Sequence, residues 1–179
     1  KTNATFGWHF RQKDNLCVHR PRAFEARRVS DRHSRGGRDM RAQHAVWREQ
    51  TGWAGAGEAL DEAQVALAFG ARAALADSAL IDDLKARYPR AHILGCSTGG
   101  QIIGDDVSDV GAACLALAFD RTDVAVADAH VEDRTQSFAA GRDVGVALAR
   151  PDLRALLVLS DGLSVNGSEL VAGLRAGAG

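Results

Sequence analysis

Two stretches of this chain repeat one order of parts. "LKARYPRAHILGCSTGG" and "VALARPDLRALLVLSDGL" each read as the end of a helix, Ala-Arg, a proline, a short connection, an apolar run and a small polar loop. Proline cannot continue a helix and pushes the residue before it to extended backbone. An apolar run of five or six residues beyond such a stop reads as a strand buried on both faces. Helix-then-strand units used twice point to a sheet with parallel pairs and helical cover. The fold class expected is α/β, a mixed sheet with parallel pairs covered by helices, plus a β-hairpin.

The remaining elements follow from period and punctuation. "AQVALAFGA" (63–71) is an apolar run ending near Gly70 and predicts a strand. "DSALIDDLKARY" (77–88) carries Leu80, Ile81 and Leu84 on one helical face; Asp77 or Ser78 caps it and Pro89 ends it. "AHILGCS" (91–97) is the next strand. "GAACLALAFD" (111–120) and "TDVAVADAHV" (122–131) are two extended runs broken at Arg121, which predicts a hairpin between them. "DRTQSFAAGRDVGVALAR" (133–150) is a helix with Asp133 as cap and Gln136 three residues on, stopped by Pro151. "LRALLVLSDG" (153–162) predicts a buried strand, and Asn166 caps a last helix with Glu169 in its first turn.

Charge divides the chain near residue 50. Residues 1–50 hold 12 Lys and Arg against 5 Asp and Glu, a net of +7, with four of the six histidines; residues 51–179 hold 10 against 18, a net of −8. The domain division expected is therefore 1–50, a basic N-terminal tail that is disordered or non-native, and 51–179, the folded part. Met40 is the only methionine, so residues before it read as a cloning remnant or upstream sequence. An Arg-rich tail suits anionic surfaces. Phe6, Trp8, Phe10 and Phe24 are not spaced as a base-stacking platform, so nucleic acid is not the expected partner. No apolar run approaches the ~20 residues of a membrane span, and no signal-peptide pattern opens the chain. Cys17, Cys96 and Cys114 are too few and scattered for a disulfide scaffold or a four-ligand zinc site. A reducing, cytoplasmic setting is the default.

Ligands of α/β sheets sit beyond the carboxyl ends of strands. Two polar loops are expected there, Gly95-Cys96-Ser97-Thr98-Gly99-Gly100-Gln101 and Ser160-Asp161-Gly162-Leu163-Ser164-Val165-Asn166-Gly167-Ser168-Glu169. Glycine lets backbone N–H groups approach a ligand, and hydroxyls both donate and accept. Such loops suit a carboxylate, an amide or a phosphate. The first lacks the lysine and spacing of a P-loop. Its Gly95-Cys96-Ser97-Thr98-Gly99 has the letters of a nucleophile elbow, but "QIIGDDVSD" after it reads as extended or looped, not as the helix an elbow needs. His92 and His130 lie in strands and are unassigned as bases; a strand histidine is more often structural. Hydrolase or thiol chemistry at Cys96 or Ser97 remains the enzyme alternative, and a buried Cys96 as apolar filler the plain one. Asp105, Asp106 and Asp109 read as a metal loop or a solvated turn; the EF-hand glycine and closing glutamate are missing. Asp161 and Glu169 as paired carboxylates compete with Glu169 as part of a helix cap. A scaffold domain whose loops are only caps and turns is the third class.

"ILGCSTGGQIIGDDVSD", "LALAFD", "RTQSFAAGRDVGVAL" and "PDLRALLVLSDGLSVNGSELVAGL" together resemble the FIST N-terminal domain. "GCSTGG" and "SDGLSVNGSELVAGL" are its specific blocks; Gln101 stands where glutamate is commoner. The resemblance covers about residues 60–176, most closely 91–176, and none of residues 1–50. It implies a bacterial cytoplasmic sensory domain, not an enzyme, binding small ligands such as amino acids or their derivatives beside a signalling output protein. No catalytic residues, metal or cofactor come with it. The ligand-contact residues expected are Cys96, Ser97, Thr98, Gly99, Gly100, Asp161, Gly162, Asn166 and Ser168, with Asp161 meeting an ammonium group and the amides near Gly99 a carboxylate. The family's pattern runs on into another strand and a C-terminal FIST domain. Its absence after Gly179 leads to the expectation of an incomplete shared site and an uncovered sheet edge.

Overall fold

The computed structural model describes residues 16–19, 40–55, 58–103 and 105–179. Its main sheet has six strands: β1 (Leu16–His19), β2 (Met40–Arg48), β3 (Gly52–Gly55), β4 (Val65–Gly70), β5 (His92–Ser97) and, after a separate two-stranded hairpin of β6 (Gln101–Ile103) and β7 (Asp106–Ser108), β8 (Ala112–Phe119). Their order across the sheet is β1-β5-β4-β8-β2-β3. β4 and β5 run parallel, Val65 opposite His92 and Gly70 opposite Ser97. β8 is antiparallel to β4 on one side and to β2 on the other, and β3 folds back on β2. The mixed α/β sheet with a parallel pair and a hairpin is therefore what forms.

The parallel pair is made by a crossover through two helices, α1 (Arg72–Leu75) and α2 (Ser78–Arg87). Asp77 caps α2 by accepting from Ala79 N at 2.9 Å, which satisfies one of the N–H groups a helix leaves open at its start. Leu80, Ile81 and Leu84 are buried, as the helical spacing requires. The sheet face beneath them is lined by alanine. Ala112, Cys114, Ala116 and Ala118 alternate as the buried residues of β8, beside Ala45, Ala66 and Ala68. Small residues here let a helix lie close over three adjacent strands. Tyr88, 1% exposed, fills the end of this core and donates from its hydroxyl to Gln43 Oε1 at 2.8 Å. Trp53 Nε1 donates to Leu80 O at 2.8 Å, tying β3 to α2. Gly111 turns the chain into β8 at φ +80, where a side chain is strained and a Cβ would lie 2.5 Å from Trp47 O.

Contacts divide the molecule into two compact units, one ending at Val124 and one from Ala125 to Gly179. The second unit is a pair of packed helices, α3 (Ser137–Leu148), led in by a 3-10 turn at Arg134–Gln136, and α4 (Gly167–Ala178). Asp133 caps the turn through Thr135 N at 2.7 Å, and Gln136 Oε1 reaches back to Glu132 N at 2.8 Å. The two reciprocal bonds are those of a capping box, shifted by one residue.

Two expectations are corrected. The hairpin does not join 111–120 to 122–131. Both edges of β8 are taken, by β4 and β2, over almost its whole length, and residues 122–131 join no sheet. Residues 153–162 form no strand, and Leu157 and Val158 are 65% and 42% exposed. An apolar run becomes a buried strand only where a neighbour supplies ladder bonds and cover. Residues 40–48, which lie in the basic segment by charge, form β2 between β8 and β3.

Candidate functional site

The first polar loop lies where the parallel strands end. Gly70 and Ser97 are the last paired residues of β4 and β5, and Thr98 N donates to Gly70 O at 2.9 Å, one step beyond the ladder. This bond fixes the chain as it leaves β5. Cys96, Ser97 and Thr98 are half-buried; Gly99 and Gly100 are exposed, and a Cβ on Gly99 would meet nothing within 4 Å. The loop then enters the β6–β7 hairpin, Gln101 opposite Ser108 and Ile103 opposite Asp106. The element after Ser97 is the strand β6 and not a helix, so the strand–turn–helix of a nucleophile elbow is not built.

Gln101 is the residue that sequence reasoning leaves without a role. It is 7% exposed, while its neighbour Ile102 is 76% exposed. Its Nε2 donates to Val110 O at 2.7 Å. Val110 O also accepts from Ser108 Oγ at 2.8 Å. The Oε1 of Gln101 and the Oγ1 of Thr98 are buried and have no protein partner. The signal that could have found Gln101 is an inverted pattern in "GQII": in a hairpin of period two, the polar residue faces in and an isoleucine faces out.

Burial pushes the Cys96 thiol up from its usual range. A cysteine nucleophile needs the opposite shift, since the thiolate is the attacking form. Cys114 is pushed further, to about 12, by burial in the alanine-lined core. Neither thiol is activated. Asp105, Asp106 and Asp109 are exposed, and among the described residues no group of three or more His, Cys, Asp or Glu is placed to hold a metal ion.

The second polar loop belongs to the second unit. Asp161 Oδ1 accepts from Leu163 N at 2.7 Å, closing a turn over Gly162. Asn166 Oδ1 accepts from Ser168 N at 3.1 Å and Glu169 N at 3.4 Å, capping α4 as its position predicts. Asn166 N donates to Ser137 Oγ, and Arg134 Nε donates to Leu163 O at 3.1 Å. The structure thus brings Asp161, Gly162, Asn166 and Ser168 together as one turn-and-cap segment, held to the start of α3. Separately, it brings Cys96 to Gly100 together with Gln101. Ser168 is exposed, and Gly162 has open space where a side chain would stand.

Family comparison decides the broader identity. The FIST N domain model matches residues 64–179, from the residue before β4 to the last residue of the chain. The chain belongs to the FIST N domain family. No curated protein and no solved structure matches it. FIST domains are sensory domains of signal transduction, and both polar loops fall inside the FIST match. Among the described residues of this FIST domain, no helix is long and apolar enough to cross a membrane.

Proposed function

We propose that this FIST domain is a cytoplasmic sensor that binds a small polar ligand, an amino acid or a derivative of one, and passes the bound state to a signalling partner. The observation that carries the reading is the glycine loop Ser97–Gly100 at the carboxyl ends of a parallel strand pair, within a family match to a sensory domain. Cys96, the backbone N–H groups at Gly99 and Gly100 and the hydroxyls of Ser97 and Thr98 are the contacts of the first loop. Asp161, Gly162, Asn166 and Ser168 are a separate set of candidate contacts, on the second loop and within the second unit. The side-chain oxygens of Asp161 and Asn166 already accept local backbone bonds, so binding there draws on their remaining polar capacity. A ligand shifts a protein between two states only by the difference in its affinity for them. The sensor mechanism is therefore an ordering of these loops that the partner reads.

The upward shift of the Cys96 thiol weighs against the thiol-enzyme alternative. Thermal-shift screening of amino acids against the full chain tests the sensor. The expected result is a raised melting temperature with one or a few of them, reduced in Asp161→Ala without loss of the fold. A panel in which none raises it removes the reading.

A further inference from the structure

We infer that Gln101 and Thr98 form a recognition point for an uncharged N–H group, a carboxamide, on whatever ligand the β5–β6 loop takes. The inference rests on the ligand-sensing reading and gives that site a chemical preference.

The orientation of Gln101 is fixed by its partner. A backbone carbonyl only accepts, so the contact of 2.7 Å with Val110 O must be made by the amide nitrogen. The carbonyl oxygen, Oε1, then points the other way, and it is buried with no protein partner. Thr98 is held as firmly from its backbone, through Thr98 N and Gly70 O, and its Oγ1 is buried without a partner too. A buried polar group left unmet costs about 1–3 kcal/mol. Native proteins meet such groups with protein, water or ligand. Here two of them flank Gly99 and Gly100, the exposed pair that links β5 to β6. The pattern of β6 adds a cost of its own, because it buries Gln101 and leaves Ile102 in solvent. A hairpin selected for stability alone would reverse that arrangement.

The chemistry of the two atoms selects the group. Gln101 Oε1 can only accept. A carboxylate would set acceptor against acceptor there. An ammonium group would bring a full charge to a buried atom that carries none, which is far costlier than burying a neutral donor. A carboxamide carries both the N–H that Gln101 Oε1 can accept and the C=O that the Thr98 hydroxyl can donate to, which neither ion does.

Acetamide, acetate and methylammonium, titrated separately into the full chain, make the test, followed by NMR through the Gln101 side-chain amide and the backbone amides of Thr98 and Gly99. Acetamide is expected to move these signals saturably, and the two ions are not. Thr98→Val removes an unpartnered hydroxyl without changing the shape, so its melting temperature stays level or rises while acetamide binds about three- to tenfold more weakly. Gln101→Met abolishes the response at Gly99. The inference is overturned if acetamide leaves the signals unmoved, if acetate or methylammonium binds as well as acetamide, if Thr98→Val or Gln101→Met leaves acetamide binding at the wild-type level, or if Thr98→Val lowers the melting temperature. A long-lived water on Gln101 Oε1 that persists at saturating acetamide would overturn it too. Failure here with amino acids still raising the melting temperature would leave the sensor reading standing. A carboxamide response with no amino acid effect would do the reverse.

Discussion

A methyl group on Gly141 of α3 would lie 2.3 Å from the carbonyl oxygen of Leu170 in α4. Gly145 stands in the same relation to Leu174 O, at 2.6 Å, and from the other helix Gly173 and Gly177 face Phe138 O and Arg142 O at 2.1 and 2.2 Å. The two helices are in backbone contact along four positions, and the obstructing atoms are main chain, which cannot rotate aside. Gly141→Ala and Gly173→Ala each gain about 1 kcal/mol of helix propensity, and each loses more by forcing α3 and α4 apart, since overpacking costs about 1–3 kcal/mol. Chemical denaturation is expected to show net destabilisation in both. Gly167→Ala, where a Cβ meets nothing, stays within about 0.5 kcal/mol of the parent.

Ser137 is fully buried and bonds in two directions. Its Oγ donates to Arg134 O at 2.8 Å and accepts from Asn166 N at 2.9 Å. Ser137→Ala strands the Asn166 N–H beside the cap of α4, at an expected cost of about 1–3 kcal/mol. Hydrogen exchange locates the effect: the Asn166 amide is expected to exchange faster in the variant, while amides of β4 and β8 keep their protection.

Cys114 gives the fold an alkaline limit. Its pKa lies near 9.0 in an unfolded chain and is pushed to about 12 by burial. Between those values the folded state holds a proton that the unfolded state has released. The contribution is complete below pH 9 and is drawn off as pH rises towards 12, at about 1.4 kcal/mol per pH unit. Cys114→Ala is expected to flatten the fall in stability above pH 9 relative to the parent. In the native protein at pH 8, maleimide is expected to label Cys96 faster than Cys114, since the latter is both more buried and further from its thiolate form.

The parts of this molecule that were legible are those decided locally. Asp77 before Ser78 and Asn166 before Gly167 cap the helices that their side chains predict, because the partner N–H groups are two or three residues away. The apolar runs of β4 and β5 also read directly, with a helix-length gap between them that a parallel pair requires. β2 did not. "MRAQHAVWR" is basic, and only Ala45 and Trp47 in it are buried. Its place is set by the free edge of β8, some seventy residues on, where Met40 to Trp47 pair with Phe119 to Ala112. No local pattern announces a pairing of that range. The glycine loop was legible as a candidate site from its composition. The inward turn of Gln101 was not, because it depends on which face of a short hairpin meets the sheet.

Leu157 is where the two lines of reading part most sharply. The run "LRALLVLS" has the composition of a buried strand, and truncating a buried leucine to alanine costs about 2–5 kcal/mol. The structure leaves Leu157 65% exposed and outside any ladder. A residue so placed loses little apolar cover on truncation, so Leu157→Ala is expected to change stability by no more than about 0.5 kcal/mol. Ile93, 1% exposed in β5, is the matched control, and Ile93→Ala is expected to cost about 2–5 kcal/mol. Urea denaturation of the two variants beside the parent decides the matter. A Leu157→Ala loss as large as that of Ile93→Ala would mean that residues 153–160 are strand in solution, as their composition suggests, and that the leucine is covered.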